Sequence, residues 1–320
     1  MYMFKYIMKR LGLLIMTFVI IEVICFVLIK SLPIVINVQV GQDRELIDLQ
    51  MQARGYYDPI PVQFWNYIVR IFTQGDFGIC VNLPEYRNYP VLDVFSSKLP
   101  PTILINIYSS LISVPIGIGL GIFAALRKNK WEDQVISTGV MLFISVPSFV
   151  YAFLVQLIFC FALGWFPLLM KSGYDYFTWP MFHSMLPAVI AMSFGSIAGY
   201  TRYTRAELTE VLTNDYMLLA RTKGLTKAQA TTRHALRNAM VPIFPSIIGE
   251  FIGVLSGSLI IEKIFSIPGI GGLYLMSINN MDYDSFMFLS GFYILVGLLA
   301  SIVVDISYGI IDPRIRMGAK

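Results

Sequence analysis

ILINIYSSLISVPIGIGLGIFAAL, residues 103–126, carries no charged side chain and ends against Arg127, Lys128 and Lys130. A bilayer's hydrocarbon core is about 30 Å thick, so a helix needs roughly 20 apolar residues to cross it. Lipid offers the backbone amides no water, and a helix satisfies them within one segment. The run therefore predicts a transmembrane helix, and the basic cluster that stops it predicts its polarity.

Five further stretches read the same way: Leu11–Leu32, Val135–Leu163, Met185–Tyr203, Met240–Glu262 and Phe286–Ile311. The span from Val135 exceeds the needed length, which predicts tilt or ends outside the lipid. A chain of 320 residues that is 56% hydrophobic and only 14% charged fits this reading and is poor for a soluble domain. The expected fold is an all-α polytopic membrane protein with six transmembrane helices. Lys5, Lys9 and Arg10 precede the first run as in a signal peptide, but the run is long and no small-x-small cleavage site follows, so it reads as a retained helix. Cys25 and Cys160 fall in spans and Cys80 stands alone in a loop, so no disulfide framework is implied.

Orientation follows from the cations. With the N-terminus inside, the cytoplasmic segments hold most of the 24 lysines and arginines, from Lys5, Lys9 and Arg10 through Arg127–Lys130 and Arg202–Arg237 to Arg314, Arg316 and Lys320. The two short outer loops hold only Lys171 and Lys263. The positive-inside rule then puts both termini in the cytoplasm. The net charge of +4 is largely this bias and calls for no nucleic-acid partner.

Two connections exceed a simple turn. Outside, the loop 33–98 mixes polar and aromatic residues, and PVQFWNYIVRIF (61–72) sets Phe64, Ile68 and Ile71 at helical spacing, which predicts a short amphipathic helix. That loop reads equally as a small cap on the membrane surface or as a surface that contacts substrate or partner. Inside, the loop 204–239 has clear punctuation. Asn214 or Asp215 can cap a helix, and Asp215 suits the positive end of its dipole. Gly224 after Lys223 predicts a left-handed stop. Thr226-Lys-Ala-Gln229 is a capping-box pattern for a second helix, with Pro242 at the start of the next span. The prediction is helix, glycine turn, helix across the membrane face, with Tyr216, Leu219, Ala220 and Lys223 on one side. On these residues alone, a surface helix that merely satisfies the charge rule is as good a reading as a docking element.

The residues DYMLLARTKGLTKAQATTRHALRNAMVP (215–242) resemble the cytoplasmic motif of binding-protein-dependent ABC importer permeases, in the version of the B-type permease of dipeptide and oligopeptide importers. An acidic residue and an aromatic, Asp215 and Tyr216, precede Ala220-Arg221-x-Lys223-Gly224; His234-Ala-Leu-Arg237-Asn238-Ala239 and Pro242 follow. The glutamate that names the motif is absent, Asp215 standing at its start. FKYIMKRL (4–11), DPIPVQFWNY (58–67), GDFG (75–78), PVLDVFSSKLPPTI (90–103), SVPSFV (145–150), IEKIFSIPGIGG (261–272) and DPRIR (312–316) are similar to that subgroup too, so the resemblance covers nearly the whole chain.

The resemblance implies a type I importer permease fold: residues 1–32 as an N-terminal tail and first helix, 33–98 as an extracytoplasmic loop domain, 99–311 as the core of five spans containing the coupling loop 204–239, and 312–320 as a cytoplasmic tail. It implies that the first loop helix docks in a cleft of a cytoplasmic ATPase, with Asp215, Tyr216, Leu219, Ala220, Arg221, Lys223, Gly224, His234, Arg237 and Asn238 in the coupling region. It further implies a C-type second permease, two ATPase subunits, an extracytoplasmic binding protein, and a place in the prokaryotic cytoplasmic membrane. Peptides are the implied cargo, with nickel or metal-chelate complexes the alternative within the family.

No Gly-x-x-x-x-Gly-Lys-Ser/Thr loop occurs, so ATP and Mg would be bound by partners, and no cofactor is expected in this chain. No His, Cys or acid cluster has ligand spacing, and no nucleophile–base arrangement suggests an enzyme. His183 is expected to be structural or exposed. The acids Glu22, Glu250 and Asp305 lie in or near spans; each reads as neutral or hydrogen-bonded at an interface, with Glu250 also a candidate pathway wall. An ion-coupled secondary transporter using Glu22 and Glu250 is the alternative from another class, and six spans without an inverted repeat argue against it. Gly117 with Gly121, Gly195 with Gly199, and Gly249, Gly253 and Gly257 predict close helix approaches. Pro115, Pro147 and Pro245 predict kinks.

Overall fold

The structure, a computed structural model, describes residues 2–32, 44–171, 173 and 175–311. The expected tail 312–320 and the first part of the outer loop, 33–43, lie outside the described residues. Within them the elements are helical: α1 Tyr2–Lys30, α2 Arg44–Ala53, α3 Ile60–Gln74, α4 Val91–Leu126, α5 Trp131–Ser145, α6 Ser148–Val155, α7 Trp179–Leu212, α8 Asp215–Thr222, α9 Lys227–Ala230, α10 Leu236–Gly253, α11 Leu259–Ile264, α12 Ile270–Asn279 and α13 Tyr283–Ile311. Five helices are each long and apolar enough to cross a membrane: Tyr6–Lys30, Val91–Leu126, Trp179–Leu212, Lys227–Ser256 and Tyr283–Ile311. A further pair, Trp131–Ser145 and Ser148–Ala162, is together long and apolar enough but is bent by 103°, as in a broken span or a re-entrant loop.

That break corrects the expectation of one long tilted span from Val135 to Leu163. Pro147 is responsible. The ring of a proline crowds the residue before it out of the helical region, and Val146 accordingly sits extended at φ −89°, ψ 130°. Pro147 itself occupies the N-cap of α6, and the Tyr151 hydroxyl donates to the carbonyls of Phe143 and Val146 freed by the break. By contrast α4 continues through Pro115, and α10 through Pro242 and Pro245.

The chain divides into two compact units. The first comprises Met1–Pro100 and Pro268–Leu298. Here the expected amphipathic helix forms as α3, stopped by Gly75 at φ 63°. It packs Tyr67, Phe64, Ile68 and Ile71 against Phe26 of α1 and Met287 of α13. Asp282 fixes the irregular segment before α4: fully buried, it caps α13 through the Ser285 amide at 3.1 Å and accepts from the Val81 and Asn82 amides at 2.6 Å each. Beside it Lys30 lies over the rings of Tyr56, at 4.2 Å, and Tyr283, at 4.9 Å. Burial pushes the Tyr56 hydroxyl well above the usual phenol range and the Cys80 thiol up to about 11, so both stay neutral.

The second unit comprises Pro101–Ile267 and Leu299–Lys320. Helix α7 is its post, packed by α5, α6 and α10. Gly117 and Gly121 of α4 meet α7 so closely that a Cβ at Gly121 would lie 2.6 Å from the Thr204 Cβ and 2.8 Å from the Thr201 carbonyl; at Gly117 it would lie 2.6 Å from the Tyr200 Cβ. The expected close approach is therefore present at this pair. Gly249 of α10 also makes a close approach, a Cβ there lying 2.9 Å from the Val304 Cγ2 of α13, whereas Gly195, Gly199 and Gly253 face open space. Gly257 is not in a helix: α10 ends at Gly253, a short 3-10 turn follows, and Gly257 adopts φ 65°, which places Glu262 in the separate helix α11 and corrects the span expected to run to Glu262. Arg205 of α7 grips the buried Asp133 of α5 with two nitrogens, one at 2.8 Å, and the Asn129 amide donates to the same carboxylate at 3.0 Å.

Gly121→Ala should therefore destabilise the detergent-solubilised protein by about 1–3 kcal/mol, as overpacking does. Gly119→Ala, whose added methyl meets nothing within 4 Å, should be neutral or slightly stabilising. Thermal unfolding of the two variants side by side checks the pair. Asp282→Ala should cost roughly 1–3 kcal/mol for each buried amide left unsatisfied. Limited proteolysis should then cut first near Val81 and Asn82.

Candidate coupling site and membrane-embedded cavity

Helix α8 follows α7 after Thr213 and Asn214. Asn214 occupies the N-cap position with extended backbone but makes no side-chain cap bond, so Asp215 in the first turn supplies the favourable charge. The C-terminal end is better made. Gly224 adopts φ 91°; its amide donates to the Arg221 carbonyl at 3.0 Å, and the Leu225 amide reaches back to Ala220 at 3.3 Å. Together these two bonds are the Schellman motif, with Leu225 packed into the same apolar cluster as Ala220. Thr226 then opens α9 with a complete capping box: its hydroxyl accepts from the Gln229 amide and the Gln229 carbonyl oxygen accepts from the Thr226 amide.

The second loop helix is not a separate surface element. From Lys227 it runs through a wider π-helical turn at Thr231–Ala235 into α10, forming one span to Ser256. At the other end α7 continues to Leu212, beyond Tyr203. The irregular connection is thus much shorter than residues 204–239.

The base of α8 is apolar and small. Met217 and Ala220 are buried against Ala125 of α4, Leu208 of α7, and Ala230, Ala235 and Ala239. This corrects the expected shared face: Ala220 points into the chain's own core, so its small size serves the approach of α8 to that platform. Outward, Tyr216, Leu218 and Leu219 are 39%, 64% and 55% exposed. Asp215, Arg221, Lys223, Gly224, His234, Arg237 and Asn238 are exposed with them. Arg221, Lys223, Lys227, Arg233 and Arg237 make no ion pair among the described residues. Sequence reasoning missed Leu218 as the most exposed apolar side chain and Met217 as the anchor; the spacing of Met217 and Ala220, three apart, was the available signal.

The intramembrane acids separate. Glu250 of α10 lines a cavity of about 350 Å3 in the second unit together with Asn106, Ser109, Ser110, Met192, Ser196, Gly253 and Val254. Its carboxylate accepts from Ser110 at 3.3 Å and Ser113 at 3.5 Å. Glu22, 6% exposed, lies against Gly291, and its Oε1 has no hydrogen-bond partner. Asp305 is half-buried on α13. His183 rests against the rings of Phe166 and Trp179. Among the described residues no cluster of three or more His, Cys, Asp or Glu could hold a metal, and the three cysteines are free thiols.

Residues 117–317 match the family described as the binding-protein-dependent transport system inner membrane component, and residues 3–106 match the N-terminal region of that component. The dipeptide transport system permease protein of Lactococcus lactis subsp. cremoris is 35% identical over 98% of this chain and 100% of its own length. The glutathione transport system permease proteins of Salmonella choleraesuis and of Escherichia coli K12 are each 34% identical over 98% of this chain and 99% of theirs. Among solved structures, an amino acid ABC transporter with histidines is similar in fold, with a TM-score of 0.50 and 20% identity over 67% of this chain and 92% of that one. Nearly full-length matches, helices of membrane length and the loop architecture agree: the chain belongs to the binding-protein-dependent inner membrane component family, as a multi-pass permease subunit of an ABC importer whose ATP hydrolysis resides in separate subunits.

Proposed function

We propose that this permease carries peptides, and that α8 is the contact through which an ATPase subunit drives it. The observation that carries the coupling reading is the pairing of a buried small-residue platform with an exposed apolar tip. Met217 and Ala220 fasten α8 to α4, α7 and α10, while Tyr216, Leu218 and Leu219 stand outward among unpaired cations. An exposed apolar patch rimmed by charge is the usual signature of a protein contact. Arg221, Lys223, Lys227, Arg233 and Arg237 select an acidic rim on the partner and steer its approach. His234 and Asn238 extend that surface beside Arg237.

The remaining assembly follows the same reading. A C-type permease completes the pathway, two ATPase subunits hold ATP and Mg on the cytoplasmic side, and an extracytoplasmic binding protein delivers cargo. Both termini and the loop 204–239 then lie in the cytoplasm, a placement that the cation distribution supports. Residues 33–98, which include α2 and α3, form the extracytoplasmic part, and residues 99–311 act as the translocating core. Dipeptide and glutathione permeases among the relatives support a short peptide as cargo.

The test is uptake by the reconstituted complex in proteoliposomes. A dipeptide and glutathione should accumulate only with ATP, both permeases and the binding protein present. Accumulation of a nickel chelate with no peptide uptake would replace the peptide reading. Coupling is tested at the turn. Gly224→Val forces a β-branched residue into the left-handed region, at a cost of about 1–2 kcal/mol or more. Hydrolysis should persist while uptake falls. Gly224→Asn, which tolerates that conformation, should retain most uptake. Normal uptake in the valine variant would remove the turn from the coupling path.

A further inference from the structure

The cavity around Glu250 has a definite chemistry. It is lined by four neutral hydrogen-bonding side chains, Asn106, Ser109, Ser110 and Ser196, and one formal charge, that of Glu250. No lysine, arginine or histidine lines it, and Glu250 has no ion-pair partner among the described residues. Three hydroxyls reach the carboxylate: those of Ser110 and Ser113, at 3.3 and 3.5 Å, both long for O–H···O− bonds, and that of Tyr200. Hydroxyl dipoles solvate a carboxylate without neutralising it. A charge held this way in a membrane span has an unmet demand for a cation.

We infer that this cavity is a station for a primary ammonium group of the cargo, with Glu250 as its counter-charge. An ammonium presents three donors and no acceptor. Glu250 can accept one, and the hydroxyls of Ser109 and Ser110 and the Asn106 carbonyl oxygen are placed around the same space for the others. The volume of about 350 Å3 is at the lower end of small-molecule sites, which suits the N-terminal end of a peptide in passage more than a long chain held whole. Met192, Val254 and the open face of Gly253 leave the other wall apolar and undemanding, so a first side chain of varied size is accepted there. The same arrangement disfavours cargo that has a carboxylate but no ammonium group, since a second negative charge would meet Glu250 with no cation between them. This inference rests on the peptide reading and adds to it the group that the permease itself recognises.

The experiment uses the assembled permease–ATPase complex in nanodiscs, without the binding protein, so that the selectivity measured is the permease's own. Trialanine and N-acetyl-trialanine are the probes, compared by calorimetric titration. The wild-type complex should bind trialanine about tenfold or more tightly than its acetylated form, the lower range for a hydrogen bond to a charged group. Glu250→Gln should bring the two affinities together, whereas Glu250→Asp, which keeps the charge, should preserve the preference. The ratio is read within one preparation, so partial loss of folded protein lowers both signals and leaves it unmoved. A wild-type complex indifferent to acetylation, a Gln variant that keeps the preference, or an Asp variant that loses it with the Gln variant would each overturn the inference. In proteoliposomes with the binding protein, trialanine uptake alongside any of those outcomes would leave peptide import standing and remove only the ammonium station. Absence of all peptide uptake would remove both.

Discussion

Two glycines and two threonines set the distance at which the second unit is built. Gly117 and Gly121 bring α4 against Tyr200, Thr201 and Thr204 of α7 with no room for a methyl group between them. In lipid, where apolar side chains gain little by leaving one apolar medium for another, close backbone packing is a main source of helix association. Helix α7 in turn receives α5, α6 and α10, and its Arg205 clamps Asp133. The loop platform depends on the same contact, because Ala125 of α4 and Leu208 of α7 both lie beneath α8. A longer α4–α7 distance would open the floor on which Met217 and Ala220 rest.

The connection between α7 and α10 shows how little chain is needed once its ends are fixed. Two of the exposed amides and two of the carbonyls at a helix–helix junction are satisfied locally, by the Schellman bonds at Gly224 and the capping box at Thr226. The turn therefore keeps its shape without help from a partner, and the exposed side chains of α8 are presented on a preformed surface. Preorganisation of this kind lowers the ordering cost of docking.

Much of this was legible in the sequence, for identifiable reasons. Glycine after a basic residue and Thr-x-x-Gln are local signals, and both formed as read. The apolar helix α3 declared itself through Phe64, Ile68 and Ile71. What hydropathy could not give was where helices end. A charge such as Arg202 or Arg205 ends the lipid-compatible run, yet the backbone continues helical to Leu212 because nothing in those residues breaks it. At Val146–Pro147 both sides are apolar, so hydropathy ran through as one segment; the kink expected at Pro147 is there, and it is a full break. The inward turn of Ala220 and the glycines that meet open space were settled by tertiary packing, which periodicity alone does not specify. The cavity at Glu250 is likewise assembled from residues far apart in sequence, and a lone glutamate in a span does not announce its neighbours.

The capping box at Thr226 and the carboxylate of Glu250 lie on one span. Between Lys227 and Glu250 the rise of a helix amounts to about 35 Å, most of the thickness of a membrane. Over that distance three features interrupt the regular hydrogen-bond ladder: the wide turn at Thr231–Ala235, and Pro242 and Pro245, which lack an amide hydrogen. Such a span is a lever with soft points along its length: tilting or twisting at Ala235 is partly taken up at the two prolines before it reaches Glu250. On the proposed reading the load runs both ways: a group held at Glu250 would bear on the same span as a push on α8.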